Sequence, residues 1–418
     1  MNYDQARAIE AQYMFRVYEK IRQPVVIVRG EGAYVWDADD NRYLDLVSGG
    51  RAVTALGHCP PAVVAAIREQ AGRLMHMSND FFTEPQMELA RALGELCVCK
   101  RAFFCNSGAE ANEAAIKLAR KHARIHHGPD KFEIVTMLGS FHGRTMATLA
   151  ATGQPKYQAD FAPLVPGFKH VEFNHTAALQ AAVNERTCAI MLEPVLGESG
   201  VYPATREFMA AARELCDAHG ALLIVDEVQT GLGRTGKLFA YEHFDVRPDV
   251  ITLAKALGSG MPIGAMLATE EAAQAFAPSD HASSFGGGAL AAVAALAGVR
   301  AIIEGDVVEN ARQVGLCLLE GLRALAEKHS VITEVRGLGM MAAADLAQPI
   351  AAQVRAACLR RKVLIQAVGD SMLRLIPPLI LTADQADSGL AVLDEALGET
   401  DPAASPNREV QHGRADSG

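Results

Sequence analysis

Cysteine is scarce in this chain, eight in 418 residues, too few for a disulfide scaffold to stand in for a hydrophobic core. Cys97, Cys99 and Cys105 cluster in ELCVCKRAFFC, but a C-x-C with one further Cys lacks the second C-x-x-C or paired His of a zinc site. They read as buried thiols at strand edges, and no metal is implied. His122 and His126 share a helical face, yet the helix stops at Gly128-Pro129 beside Lys121 and Arg124. They are expected to be cations at a helix C-terminus. Positive charge is also short: 39 Lys and Arg against 49 Asp and Glu leave a net charge of −10, with no basic stripe interleaved with aromatics. That argues against a nucleic-acid partner, because phosphate recognition wants a basic face. The opening MNYDQARAIEAQYMFRVYEK has no apolar stretch of the kind a secretion signal needs, which points to the cytoplasm. The longest tempting apolar run, 289–299, is Ala-rich and ends at Arg300, well short of the ~18 residues of a membrane helix. No internal repeat is evident.

What is present is apolar content at 50% of the residues, enough for a large core and two or three domains. Strand-like runs at 132–137, 188–192, 221–225 and 250–253 alternate with helical patterns at 109–127, 206–219 and 289–303. That order predicts an α/β protein with a large doubly wound, mostly parallel sheet. After Gly305 the texture becomes that of an α+β unit, and the closing TDPAASPNREVQHGRADSG is polar and without periodicity, as in a disordered tail.

The chemistry centres on two residues. Lys255 in DVITLAKALGSG sits among Val250, Ile251, Leu253, Ala254, Ala256 and Leu257, an apolar setting that lowers an amine's pKa and frees it to attack an aldehyde. Asp226 follows the apolar run 222–225, where a buried parallel strand delivers its carboxyl end to a crevice. Pyridoxal phosphate needs both, a lysine for its aldehyde and an acid for its ring nitrogen. Taken singly, an acid at a strand end also serves structure, and a lysine in an apolar run also snorkels to the surface. Asn106 and Ser107 can cap a helix beginning Gly108-Ala109-Glu110, so that free N–H groups and the helix dipole face an anion. GLGRTG at 231–236 satisfies G-x-G-x-x-G, but the aromatic, mixed KLFAYEHFDVRPD after it is not the small-residue helix of a dinucleotide site.

FFCNSGAEANEAAIKLAR, FHGRT, ATGQPKYQADFAPLVPGF, ALLIVDEVQTGLGRTGKLFAYEHF, TLAKALGSGMPIGAMLA and LRLIPPL occur in order. As a set, from about Val25 to about Leu397, they resemble the class III aminotransferases of fold type I, and among these the acetylornithine and succinylornithine group. The resemblance implies the pyridoxal-phosphate transferase fold: a smaller α+β domain from both chain ends (residues 1–46 and 299–398), a large cofactor domain (47–298), and a tail (399–418). It also implies a homodimer with shared active sites. Catalysis would fall to Lys255 and Asp226. Ser107, Gly108 and Ala109 would hold the cofactor phosphate, Ser284 would reach it across the dimer, Phe141 and Val228 would sandwich the ring, and Gln229 would bond its phenolic oxygen.

The same resemblance implies the substrate residues. Arg144 would take the carboxylate remote from the reacting amine, and Arg374 the α-carboxylate of glutamate. Glu198 would pair with Arg374 when the other substrate is bound, with Glu193 and His142 nearby. Leu196, Pro60, Ser259, Ser284 and Gly288 depart from the family pattern, and so does Arg51, where relatives mostly carry an apolar or aromatic residue. Arg51 would add a cation at the substrate mouth and favour a substrate with an additional carboxylate, or else face solvent. The expected reaction moves the terminal amine of N-acetylornithine or a close acylated diamine to 2-oxoglutarate, within arginine biosynthesis. Succinylornithine, succinyldiaminopimelate, ornithine and 4-aminobutyrate remain alternatives, as does a fold type I lyase or mutase.

Overall fold

The computed structural model describes residues 1–400. Its centre is a seven-stranded sheet in the order Arg101–Cys105, Gly264–Ala268, Val250–Leu253, Leu222–Asp226, Thr187–Leu192, Glu133–Met137 and Phe168–Val171. All run parallel except Gly264–Ala268, which is antiparallel to both of its neighbours. The strands 133–137, 187–192, 222–226 and 250–253 are buried along their whole length, because helices cover both faces and leave no solvated side to demand alternation. Arg206–His219, capped by the Thr205 side chain and closed by Gly220 at φ 58, is one of these covering helices.

Parallel geometry puts the carboxyl ends of five strands on one edge. Cys105 leads to Ser107, Met137 to Phe141 and His142, Leu192 to Glu193, Leu223–Val225 to Asp226, and Leu253 to Lys255. The edge is where a crevice forms in an open α/β sheet.

Two four-stranded sheets lie outside it. The strands Ile27–Glu31, Tyr34–Asp37 and Arg42–Asp45 form an antiparallel meander, and Val363–Leu364 from the far end of the chain joins it in parallel. One residue later the chain changes sheets: Gln366–Ala367 pairs with Met372–Leu375, which continues through Met341–Leu346 to Ile332–Leu338. Arg374 therefore stands in the middle of this third sheet, opposite Ala343.

The N-terminal helix covers Tyr3–Tyr13 and stops there because Met14 and Phe15 are extended, and the chain folds back so that Arg22 and Arg7 both reach Glu10. Two local expectations change. His122 is buried, not a surface cation, and burial with His126 beside it holds its pKa below the ordinary histidine value. The last helix, Ala383–Thr400, runs two residues into the segment expected to be irregular, and the rest of that tail lies outside the described residues.

Candidate active site

A cavity of about 410 Å³ opens at this edge, lined among others by Ser107, Gly108, Ala109, Phe141, Val228 and Lys255. Its anion end is the start of the helix Gly108–His127, where Ser107 is the N-cap and its hydroxyl accepts from the Glu110 N–H at 3.2 Å. Glu110 reciprocates, its carboxylate accepting from the Asn106 N–H at 2.7 Å and from the Asn106 amide at 2.9 Å. First-turn N–H groups have no intrahelical acceptor, so the cavity faces donors and the positive end of the helix dipole.

Asp226 is almost fully enclosed and heavily bonded. Its Oδ2 accepts from His142 Nδ1 at 2.7 Å and from Asn112 Nδ2 at 2.8 Å, while Oδ1 accepts from the Val228 N–H at 3.0 Å and the Thr252 hydroxyl at 3.3 Å. Thr252 also donates to Asn112 Oδ1 at 2.7 Å, and Asn112 donates to the His142 carbonyl at 2.8 Å. The carboxylate is thereby fixed in position. Asn112 and Thr252 were not singled out from the sequence. A polar residue inside the buried run Val250–Leu253, and one four positions past Gly108 on the helix, were the available signals.

Lys255 takes φ 42, a left-handed conformation rarely used by residues with side chains. Burial lowers the pKa of its amine, against the opposing pull of Glu198, Glu193 and Asp226. Glu193 accepts from the Phe141 N–H at 2.8 Å and the Gly197 N–H at 3.3 Å. Burial pushes its pKa above the usual carboxylate range, with Asp226 adding and His142 opposing. It ties the Phe141 loop to the segment that carries Glu198.

Glu198 has one oxygen for each of two arginines: Oε1 lies 3.2 Å from Arg374 Nη2, and Oε2 pairs with Arg51 Nη1. Burial alone would raise its pKa, but Arg374, Lys255 and Arg51 together bring it down to about 2. Gln229 Nε2 donates to the same Oε1 at 3.3 Å. Arg374 is held from behind, donating to Gln366 Oε1 at 2.8 Å and to the Gly197 carbonyl. Gln366 carried no sequence signal. Arg144 also lines the cavity, with its guanidinium carbon 3.9 Å from the centre of the Tyr157 ring. Ser284 is exposed and does not line the cavity.

The glycine-rich 231–236 segment is a turn, and its Arg234 is buried, donating to the Met340 and Pro377 carbonyls and to Ser48 Oγ. That arginine locks the turn to three distant segments and leaves no dinucleotide cradle.

The model of the class-III aminotransferase family matches residues 17–397. Among curated proteins the chain is 47% identical over 390 residues to an acetylornithine aminotransferase of Caldanaerobacter subterraneus, covering 93% of this chain and 98% of the relative. It is 48% identical to one from Neisseria meningitidis serogroup A, covering 92% and 97%. Among solved structures, the N-acetylornithine aminotransferase of Stenotrophomonas maltophilia is 39% identical with TM-score 0.80 over 92% and 98% of the chains. The ornithine aminotransferase of Toxoplasma gondii is 30% identical with TM-score 0.90 over 95% of each.

The cofactor is pyridoxal phosphate, and the residues present fit it. His142 Nε2 and Gln229 Oε1 are buried in the cavity wall without protein partners. A Cβ on Gly108 would come within 2.8 Å of Val228, so the cradle is as close as it can be. Motifs, sheet edge and site agree, and the chain belongs to the class-III aminotransferases, with the pyridoxal-phosphate-dependent transferase fold.

Proposed function

We propose that this enzyme moves the terminal amino group of N-acetylornithine, or of a close acylated diamine, to 2-oxoglutarate, giving the semialdehyde and glutamate. The observation that carries this is Arg374: a buried guanidinium paired with Glu198, which lines the cavity together with Lys255. A terminal amine brings no carboxylate to that place, so the arginine needs Glu198. Glutamate brings one, and Glu198 must yield. The names of the curated relatives support the same substrate.

Bound pyridoxal phosphate supplies an electron-withdrawing ring that acidifies the C–H beside the reacting amine. Asp226, fixed by His142, Asn112, Thr252 and the Val228 N–H, holds the negative charge that favours a protonated ring nitrogen. Ser107, Gly108 and Ala109 would hold the phosphate, Val228 and Phe141 would confine the ring, and Gln229 would bond its phenolic oxygen, since all of them line the cavity. Lys255 Nζ takes the proton from the acidified carbon and returns it, its lowered pKa keeping the base form accessible. Arg144, resting on Tyr157 without an ion pair to a described carboxylate, receives the substrate's remote carboxylate.

A cytoplasmic homodimer belongs to the proposal. Segments 74–82 and 283–290 are joined by Asn79 to the Ser283 and Gly286 carbonyls, and they expose Met75, Phe81, Phe82 and Phe285 around Ser284. Such a patch suits a second copy. The test is glutamate formation from 2-oxoglutarate with a panel of N-acetylornithine, N-succinylornithine, ornithine and 4-aminobutyrate, alongside light scattering. Preference for 4-aminobutyrate or ornithine would refute the substrate assignment, and an active monomer would refute the shared site.

A further inference from the structure

We infer that Arg51 is a positioning residue: it holds the free oxygen of Glu198 and so favours the glutamate half of the reaction over the amine half. The inference rests on the proposed exchange at Arg374.

The geometry starts in the turn Ser48–Ala52. Gly49 and Gly50 take φ 67 and 104, and Ala52 takes φ 59, conformations that turn the chain sharply. Asp45 grips the entry, accepting from the Val47 N–H at 2.8 Å and the Gly49 N–H at 2.7 Å. The exit is gripped from the other side, where the Gln366 amide donates to the Gly50 carbonyl while its oxygen accepts from Arg374 Nε at 2.8 Å. The backbone that presents Arg51 is thus pinned to the arginine with which Arg51 shares Glu198. Arg51 itself is half exposed, at 50%, whereas Glu198 and Arg374 are 11% and 2% exposed.

Two consequences follow, with the same sign. When a substrate carboxylate claims Arg374, Glu198 loses its contact at Oε1 but keeps Arg51 at Oε2, and it can pivot on that contact without becoming a buried, unpaired charge. Without Arg51 only the 3.3 Å bond from Gln229 remains. The charges also matter: two guanidiniums and one carboxylate leave one net positive charge, which one substrate carboxylate balances. A substrate presenting only an amine there meets that charge uncompensated.

The test compares both half-reactions in single-turnover experiments on the holoenzyme, following the cofactor's absorbance, for wild type, Arg51→Met, Arg51→Lys, Glu198→Gln and the double variant Arg51→Met with Glu198→Gln. The ratio of kcat/KM for glutamate to that for N-acetylornithine should fall about tenfold in Arg51→Met. Arg51→Lys should recover part of it. In the Glu198→Gln background, Arg51→Met should change the ratio less than about twofold, because Arg51 acts through Glu198. An unchanged ratio in Arg51→Met, or the same loss with and without the Glu198 carboxylate, would overturn the inference. So would a loss confined to N-succinylornithine, which would make Arg51 a direct contact for a second substrate carboxylate. Wild-type enzyme that ignores N-acetylornithine would refute the substrate assignment alone, and the glutamate arm set against whichever amine reacts still decides the role of Arg51.

Discussion

Replacing Gly108 with Ala should weaken cofactor binding sharply, although Ala is ordinarily the better helix residue. Gly108 opens the helix Gly108–His127, and an ideal Cβ there would lie 2.8 Å and 2.9 Å from the two methyls of Val228 and 3.5 Å from the Ala254 Cβ. With both methyls equally near, rotating the stiff Val side chain replaces one clash with the other. Val228 must therefore shift bodily, and it lines the cavity that the cofactor needs. Overpacking of this kind costs about 1–3 kcal/mol, against at most ~1 kcal/mol gained from helix propensity. If the cost falls on the holoenzyme, the cofactor Kd rises about 5- to 150-fold. The assay is titration of apoenzyme with pyridoxal phosphate, followed by absorbance, in wild type, Gly108→Ala and the double variant Gly108→Ala with Val228→Ala. Trimming Val228 removes the clash and should restore most of the affinity. An unchanged Kd in Gly108→Ala, or a loss that Val228→Ala does not rescue, would refute the proposed close approach of helix start, valine and ring.

Borohydride reduction of the yellow holoenzyme should leave the cofactor on the peptide containing Lys255, and label on a different lysine would remove that residue from the chemistry. Arg374→Ala should slow the glutamate half-reaction far more than the amine half, and Glu198→Ala should do the reverse by leaving a buried guanidinium unpaired; equal losses would contradict the exchange. Glu227 is enclosed beside Asp226, and burial raises its pKa to about 7 despite its bonds with Thr230 and Tyr241. The folded protein then keeps a proton that the unfolded chain loses above the ordinary glutamate value of 4.5, so stability should fall between roughly pH 4.5 and 7 by about 3 kcal/mol and then level off. Denaturant midpoints of apoenzyme measured at pH 5 and 8 should converge in Glu227→Gln, and a slope as steep as that of wild type would assign the pH dependence elsewhere.

The sequence by itself determined the large sheet and the identity of the central pair. Mostly apolar runs such as 222–225 and 250–253 have only one comfortable place, between two helical layers, and the residue that follows such a run is delivered to the sheet's edge. Asp226, Lys255 and the capped start at Ser107 are local features of this kind, and the ordered motifs around them carried the family. Tertiary structure decided everything that depends on residues far apart in the chain. The switch at Ile365, which sends Val363–Leu364 to one sheet and Gln366–Ala367 to another, depends on which edges are open. His122 reads as a helix-end cation until the fold buries it. The sequence around Arg234 argues against a nucleotide loop without giving that residue a role, which appears only when Met340, Pro377 and Ser48 converge on it. Asn112, Thr252 and Gln366 became meaningful only through partners more than a hundred residues away or on another sheet. Arg51 stays half exposed, and the contact that gives it meaning is with Glu198, a carboxylate 147 positions along the chain. Periodicity and caps are written in neighbouring residues, whereas charge pairing and burial depend on which distant segments the packed core brings together.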